Sequence, residues 1–250
     1  MSRRTIIAGN WKMYKDHADA VSTVKALVEG KGSIKGREMA IFVPAVFARE
    51  VASLAKGKGV DVGMQNMYIV KEGAFTGENS PVMVKDAGCR YILIGHSERR
   101  HVFGEKDELL NAKVKAAYEF GIEPMLCIGE LLAEYEAGKS KDVCRTQLVA
   151  GLKGITADQM KTMTIAYEPV WAIGTGKVAT PEIAQDIHAY CRKVLEELYG
   201  KEIADMVPLL YGGSVKADNA AGLLSQADID GVLVGGASLK ADSFIAIANA

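Results

Sequence analysis

Short apolar runs of five or six residues recur along the chain, and longer amphipathic stretches separate them. Hydrophobicity within the runs is nearly continuous rather than alternating, which is typical of parallel strands buried on both faces. The eight predicted strands are Thr5–Gly9, Met39–Val43, Val60–Met64, Tyr91–Gly95, Glu123–Ile128, Met163–Tyr167, Val207–Tyr211 and Ile229–Val234.

Helical periodicity fills the stretches between these runs. The clearest predicted helices are Ala18–Glu29, Asp107–Phe120 and Ile183–Leu198. Gly30, Gly121 and Gly200 are predicted to end them, because glycine adopts the left-handed conformation that commonly follows a helix. Repeated strand–helix units imply right-handed crossovers and a parallel sheet. Eight units without a linker favour one closed α/β barrel domain, (β/α)8, over residues 1–250 rather than an open sheet.

The connection Gln65–Ser80 is too long for an ordinary strand-to-helix loop, which has about two to six residues. It contains Met67, Tyr68 and Phe75, and a loop left in solvent would rarely be so apolar. A loop that binds a partner is the favoured interpretation. A loop folded against its own barrel is the alternative.

A carboxylate, Glu168, ends the sixth apolar run, and Pro169 stops the strand there. A small-residue loop, 172–176, follows and precedes a helix start at Thr180-Pro181. A base beside a loop that closes over it is one interpretation of this segment. An ordinary strand-end acid with a flexible connection is the other, and the segment alone leaves both open.

Other polar residues and glycines follow the remaining strands, and barrel enzymes place their sites at this end. The candidates are Asn10 and Lys12 after strand one, His96 after strand four, Glu130 after strand five, Glu168 after strand six, Gly212, Gly213 and Ser214 after strand seven, and Gly235 and Gly236 after strand eight. Singly, a lysine here is usually solvated and a histidine usually structural. Their shared position at one rim favours a functional site.

Residue type suggests a role for each candidate. The glycine turns after strands seven and eight expose backbone N–H groups that bind phosphate, and Gly174 adds another. Lys12 supplies a positive charge for an anion or oxyanion. His96 opens a predicted helix, where the imidazolium is disfavoured, so we expect a neutral donor. Glu168 is then the candidate base.

Composition excludes several classes of function. Thirty basic and 31 acidic residues give a net charge of −1, which does not indicate a nucleic-acid or membrane-surface partner. The four cysteines show no C-x-x-C spacing, so neither a metal site nor a disulfide framework is expected. The Arg3-Arg4 pair lacks the apolar run of an export signal. A cytoplasmic protein is the expectation.

Six segments, in order along the chain, resemble the triosephosphate isomerase family over essentially all 250 residues. They are AGNWKM (8–13), EGAFTGE (72–78), IGHSERR (94–100), AYEPVWAIGTG (166–176), YGGSV (211–215) and VGGASL (234–239). The resemblance implies a TIM barrel that interconverts dihydroxyacetone phosphate and D-glyceraldehyde 3-phosphate through an enediolate, in glycolysis and gluconeogenesis. It implies no metal or organic cofactor.

The resemblance also implies roles for individual residues. Glu168 matches the base that moves a proton between C1 and C2, and His96 the neutral electrophile. Lys12 matches the cation that stabilises the oxyanion, with Asn10 beside it. The phosphate-binding backbone matches Gly174, Ser214, Gly235 and Gly236. Ile173 and Leu233 match an apolar clamp over the base, Glu98 a supporting carboxylate, and Cys127 a buried cysteine for which packing is the expected role.

In the family, the long loop inserts into a second subunit, and Thr76 matches a residue that reaches the partner's site. The resemblance therefore implies a homodimer through Gln65–Ser80. Tyr14 departs from the asparagine that is usual in the family. That position is expected near the subunit interface, so the departure bears on packing there and not on the chemistry.

Three rival functions find weaker support in the sequence. Another phosphosugar barrel enzyme would need a richer polar set than Pro44, Gln65, Asn66 and Glu130 at strands two, three and five. A nucleotide-binding function would depend on the G-x-G-x-x-A match at 174–179, but the preceding turn is too long for that motif. A catalytically inactive scaffold is disfavoured because the polar candidates at the rim are all retained.

Overall fold

A computed structural model describes residues 3–173 and 179–250. Within these ranges the strands pair in parallel and in chain order, and the first pairs with the last to close a barrel. The strands are β1 (Ile6–Asn10), β2 (Glu38–Val43), β3 (Val60–Met64), β4 (Tyr91–Ile94), β5 (Glu123–Ile128), β6 (Thr164–Tyr167), β7 (Leu209–Tyr211) and β8 (Gly231–Val234). The predicted closed (β/α)8 barrel is confirmed, and each strand end lies within two residues of its prediction.

Helices surround the barrel. They are α1 (His17–Gly30), α2 (Ala45–Ala55), α3 (Pro81–Asp86), α4 (Ser97–His101), α5 (Asp107–Glu119), α6 (Leu132–Glu136), α7 (Ser140–Gly151), α8 (Ala157–Met160), α9 (Pro181–Tyr199), α10 (Lys201–Ala204), α11 (Ala217–Leu224) and α12 (Ala241–Ala248). Short 3-10 helices cover Lys31–Ser33, Val170–Ala172 and Gly236–Leu239. As predicted, α9 begins at Pro181, where the Thr180 side chain accepts a hydrogen bond from the Ile183 N–H.

Gly30 does not end its helix in the way that the sequence suggested. Gly121 and Gly200 have φ of +65° and +83° and follow their helices as expected. Gly30 instead has a right-handed φ of −74° and is the last residue of α1. A Cβ at this position would lie 2.2 Å from Cδ1 of Ile245, so the glycine allows α12 to pack closely against α1.

Alternation along the strands divides the apolar core into two parts. Ile6, Phe42, Leu93 and Met125 belong to a cluster inside the barrel. Neighbouring strand residues such as Ile7 face the helices in a larger second cluster. Because both faces of each strand are buried, the near-continuous hydrophobicity of the eight runs has a direct structural cause.

Ion pairs join the strands at the amino-terminal rim. The Arg4 guanidinium donates to both carboxylate oxygens of Glu38, at 2.6 and 2.7 Å. Arg90 donates to Asp61 at 2.8 Å and to Glu123 at 2.8 and 3.2 Å. Polar groups at this rim therefore pair with one another across β1 to β5, whereas those at the opposite rim face a cavity.

The long loop Gln65–Ser80 has a buried beginning and an exposed tip. Met67 is fully buried and Ile69 packs against the core, while residues 71–78 are exposed. Tyr68 and Phe75 bring the two arms together, with ring centroids 4.5 Å apart. The beginning of this loop therefore folds against its own barrel, whereas the tip is exposed to solvent.

His188, on α9, is a fully buried histidine that does not line the cavity at the carboxyl-terminal rim. Its Nδ1 lies 3.2 Å from the Asp228 carbonyl oxygen, and the Tyr167 ring packs against it edge-on at 5.7 Å. Burial lowers the pKa of His188 from 6.5 to about 4, which keeps the imidazole neutral at physiological pH.

This buried imidazole is expected to destabilise the fold in acid. Below pH 6.5, His188 binds a proton in the unfolded chain but stays neutral in the folded one. The free energy of unfolding therefore decreases as the pH falls from 6.5 to about 4. The loss amounts to about 3 kcal/mol. His188→Gln should flatten the dependence of unfolding free energy on pH, measured in urea between pH 4.5 and 7.5. His17→Gln, at an exposed histidine, is the control, and equal slopes for wild type and His188→Gln would refute the assignment.

Candidate active site

The end of β1 holds Lys12 in an unusual backbone conformation. Its φ is +51°, in the left-handed region that non-glycine residues rarely adopt. The Lys12 N–H donates to Asn10 Oδ1 at 2.9 Å, and Gln65 Nε2 donates to the Lys12 carbonyl oxygen at 2.8 Å. Lys12 Nζ donates to Glu98 Oε1 at 2.6 Å. Side chains at the ends of β1 and β3 thus fix the Lys12 backbone, and a salt bridge from α4 fixes the ammonium.

His96 lies between β4 and α4, where two arginine contacts fix the chain. Gly95, with φ of +72°, turns the backbone out of β4. The buried Arg100 guanidinium donates to the carbonyl oxygens of Gly95 and Cys127, both at 2.9 Å. His96 Nδ1 accepts a hydrogen bond from the Glu98 N–H at 3.3 Å, which places the imidazole proton on Nε2.

Glu168 follows β6 and is 2% exposed. One carboxylate oxygen lies 3.0 Å from His96 Nε2, and the other accepts a hydrogen bond from the Ser97 N–H at 2.9 Å. A Cβ on Gly212 would lie 2.9 Å from Glu168 Cγ, so the glycine at this position leaves room for the base.

Glu168 and His96 shift each other's pKa. Burial raises the pKa of Glu168, but His96 and the Ser97 N–H oppose it, and the pKa lies below the usual range. Burial lowers the pKa of His96, but the Glu168 carboxylate opposes it, and the pKa lies above the usual range. The Nδ1 hydrogen bond agrees with the neutral tautomer expected from the helix start, whereas contact with Glu168 acts in the opposite direction.

These side chains face a cavity of about 330 Å³ at the carboxyl-terminal rim. Its lining includes Asn10, Lys12, Tyr14, His96, Glu168, Ile173, Gly212, Gly213, Ser214, Leu233, Gly235 and Gly236. Asn219 Nδ2 donates to the Ser214 carbonyl oxygen at 3.1 Å and fixes the turn after β7. The cavity therefore brings together a carboxylate, an imidazole, an ammonium and two glycine-bearing turns.

Comparison with known proteins identifies the family of the chain. A family model described as "Triosephosphate isomerase" matches residues 5–250. The chain belongs to the triosephosphate isomerase family. A triosephosphate isomerase of Carboxydothermus hydrogenoformans is 50% identical over 245 residues, which cover 98% of each chain. One from Fusobacterium nucleatum is 49% identical over 248 residues, covering 99% of each, and one from Lactococcus lactis subsp. cremoris is 49% identical over 247 residues, covering 99% and 98%.

Most of the residues predicted for the site line the cavity, but several lie elsewhere. Gly174 lies outside the described residues. Glu98 pairs with Lys12 beside the cavity, and Thr76 is at the exposed loop tip. Cys127 is fully buried in the barrel interior. Tyr14, expected at a subunit interface, also lines the mouth of the cavity.

Glu130 follows β5 but does not face the cavity. Its Oε1 accepts hydrogen bonds from the Tyr167 hydroxyl at 3.0 Å and from Trp171 Nε1 at 2.8 Å. Its carbonyl oxygen accepts from the Val170 N–H at 3.1 Å. Burial raises the pKa of this carboxyl. Glu130 therefore supports the 3-10 helix that follows Glu168 in this triosephosphate isomerase family member.

Two polar residues at the site were not predicted to act there. Gln65 fixes Lys12, and Ser97 holds Glu168 through its backbone N–H. Both follow strands at the carboxyl-terminal rim, and this position was the available signal. Within the described residues, none of the helices combines the length and apolar character needed to cross a bilayer.

Proposed function

We propose that the chain interconverts dihydroxyacetone phosphate and D-glyceraldehyde 3-phosphate, as expected of the triosephosphate isomerase family. The observation that carries the proposal is the meeting of Glu168 and His96 with Lys12 and two glycine turns in one cavity. A cavity of about 330 Å³ is at the small end of ligand pockets, and it suits a triose phosphate better than a nucleotide.

Substrate orientation follows from charge. Backbone N–H groups at Ser214, Gly235 and Gly236 receive the phosphate, with Gly174 as a further predicted donor. A Cβ on Gly235 would lie 3.6 Å from Lys12 Cε, so the lysine side chain extends beside the phosphate turn. Its ammonium then lies between the phosphate and the carbonyl oxygen, where it favours both the anionic substrate and the developing oxyanion.

The free site must rearrange for proton transfer. In the free site, the Glu168 carboxylate is the hydrogen-bond acceptor for His96 Nε2–H. The substrate carbonyl oxygen therefore has to replace the carboxylate as that acceptor. Glu168 then leaves His96 and Ser97, loses the contacts that lower its pKa and becomes a stronger base. It removes the C1 proton to give an enediolate, while His96 Nε2–H donates to the carbonyl oxygen. Glu168 returns the proton to C2, and His96 moves a proton between the two oxygens.

Ile173 and Leu233 contribute apolar surface beside the base. Exclusion of water there strengthens the electrostatic contacts within the site. It also protects the enediolate, which would otherwise expel its phosphate. Glu98 is a supporting residue because it holds Lys12 Nζ at 2.6 Å.

Dihydroxyacetone phosphate in deuterated water tests the proposal. We expect deuterium at C1 of recovered substrate together with aldehyde formation, since the base exchanges its proton with solvent. A nucleotide-binding protein or an inactive scaffold would give neither signal. An isomerase for a different phosphosugar would leave dihydroxyacetone phosphate unlabelled and would exchange its own substrate instead.

A homodimer is part of the proposal, with the exposed loop tip entering a second subunit. Met13 and Phe103 are 95% and 65% exposed and line a second cavity of about 210 Å³ beside Lys12. Apolar side chains exposed around a cavity suit burial by the partner's loop tip, including Thr76. Such docking would stabilise Lys12 from outside. A cytoplasmic location likewise remains a prediction.

Disruption of the loop tip should therefore lower activity through dissociation. Thr76→Arg is expected to give monomers in sedimentation at assay concentration, with kcat/KM reduced about a hundredfold because Lys12 is no longer held precisely. Dilution of wild type should reproduce part of this loss. Thr146→Arg, on the exposed face of α7, is the matched control. A fully active monomer would refute the dimer proposal.

A further inference from the structure

We propose that Lys15 is a positioning residue that holds the phosphate-facing turn after β8 against the end of β1. This inference rests on the proposed function, because it assigns Gly235 and Gly236 to the substrate phosphate. Lys15 belongs to none of the motifs that carry the family resemblance, and it does not line the cavity.

The Lys15 backbone is strained and its side chain is engaged. Its φ of +76° is the second left-handed non-glycine conformation in this loop, after Lys12. Its Nζ donates to the Leu239 carbonyl oxygen and to Thr23 Oγ1, both at 2.8 Å, and lies 4.9 Å from the Trp11 ring centroid. A strained backbone persists only where its surroundings fix it, so these contacts offset the strain.

The contact with Leu239 matters because of its position. Leu239 is the last residue of the four-residue 3-10 helix that begins at Gly236, so Lys15 holds the end of this helix opposite the phosphate-facing glycine. Ser238 Oγ donates to the Gly235 carbonyl oxygen at 2.7 Å and lies 3.4 Å from that of Asn10. Lys15 adds a charged contact to this neutral one. The β1 loop and the phosphate turn are therefore linked three residues from Lys12.

Removal of the ammonium should weaken phosphate binding more than chemistry. Lys15→Met keeps most of the side-chain length and the strained φ but removes the hydrogen-bond donors of the ammonium. We expect KM for dihydroxyacetone phosphate to rise about tenfold, with kcat within about threefold of wild type. The inhibition constant of inorganic phosphate should rise by the same factor as KM.

Two further variants separate the side chain from the backbone. Lys15→Arg retains donors and should recover most of the phosphate affinity. Lys15→Gly removes the strain as well as the side chain, so it should fold at least as stably as Lys15→Met yet show the same rise in KM. Lys31→Met is the matched control, because Lys31 Nζ also holds two backbone carbonyl oxygens, of Ile34 and Arg37, far from the cavity.

Calorimetric titration with inorganic phosphate provides a readout that needs no turnover. Phosphate affinity equal to wild type in Lys15→Met, or a loss matched by Lys31→Met, would overturn the inference. Normal affinity in Lys15→Gly would do so too, since only the turn conformation would then matter. A wild type that binds phosphate but does not isomerise would refute the proposed function and leave this inference standing.

Discussion

Glu168→Gln is expected to lower kcat for isomerisation by about 10²- to 10⁴-fold, the usual contribution of a general base. The amide fills the same space between His96 and Ser97 but cannot accept a proton from carbon. KM should change little, because the groups proposed to bind the phosphate are left intact. Steady-state kinetics in both directions, with loss of C1 deuteration, would measure the effect.

Glu168→Asp separates the position of the base from its chemistry. The shorter side chain keeps a carboxylate but withdraws it by one methylene, so we expect kcat to fall by about a hundredfold with KM nearly unchanged. Chemical unfolding of both variants controls for the lost contacts of this buried group. Glu119→Gln, at an exposed carboxylate on α5, is the matched control. Near-normal kcat in Glu168→Gln would exclude Glu168 as the base.

The strands and the rim were predictable because they depend on local patterns. Parallel strands buried on both faces give continuous apolar runs, and the carboxyl ends of such strands share one rim. The sequence alone therefore groups the residues that follow those runs, such as Lys12, His96 and Glu168.

The features that the sequence did not predict correctly depend on contacts between distant segments. Gly30 allows Ile245 to pack against it from the other end of the chain, which no local pattern reveals. Glu130 follows a strand as Glu168 does, but its side chain turns towards Tyr167 and Trp171 and away from the cavity. Gln65 acts on Lys12 because β3 lies near β1 in the closed barrel. Position at the rim predicts membership of a site, whereas side-chain direction decides the role.

Lys12→Met should lower kcat/KM by about 10²- to 10³-fold, the range for loss of a preorganised group that stabilises an oxyanion. Methionine keeps most of the side-chain length and removes the charge. Both kinetic constants should worsen, because in the proposed mechanism the ammonium contacts the phosphate in the ground state and the oxyanion in the transition state. The dependence of kcat/KM on ionic strength should also weaken, since a charge that attracts the anionic substrate is lost.

The salt bridge with Glu98 requires its own control, because Lys12→Met also leaves that carboxylate without its partner. The Glu98 side chain is 45% exposed, so water can solvate it and the cost to folding should be small. Glu98→Gln should then lose far less activity than Lys12→Met, and the double variant should resemble Lys12→Met. Equal losses in both single variants, with no further loss in the double, would mean that the salt bridge and not the ammonium charge supports catalysis.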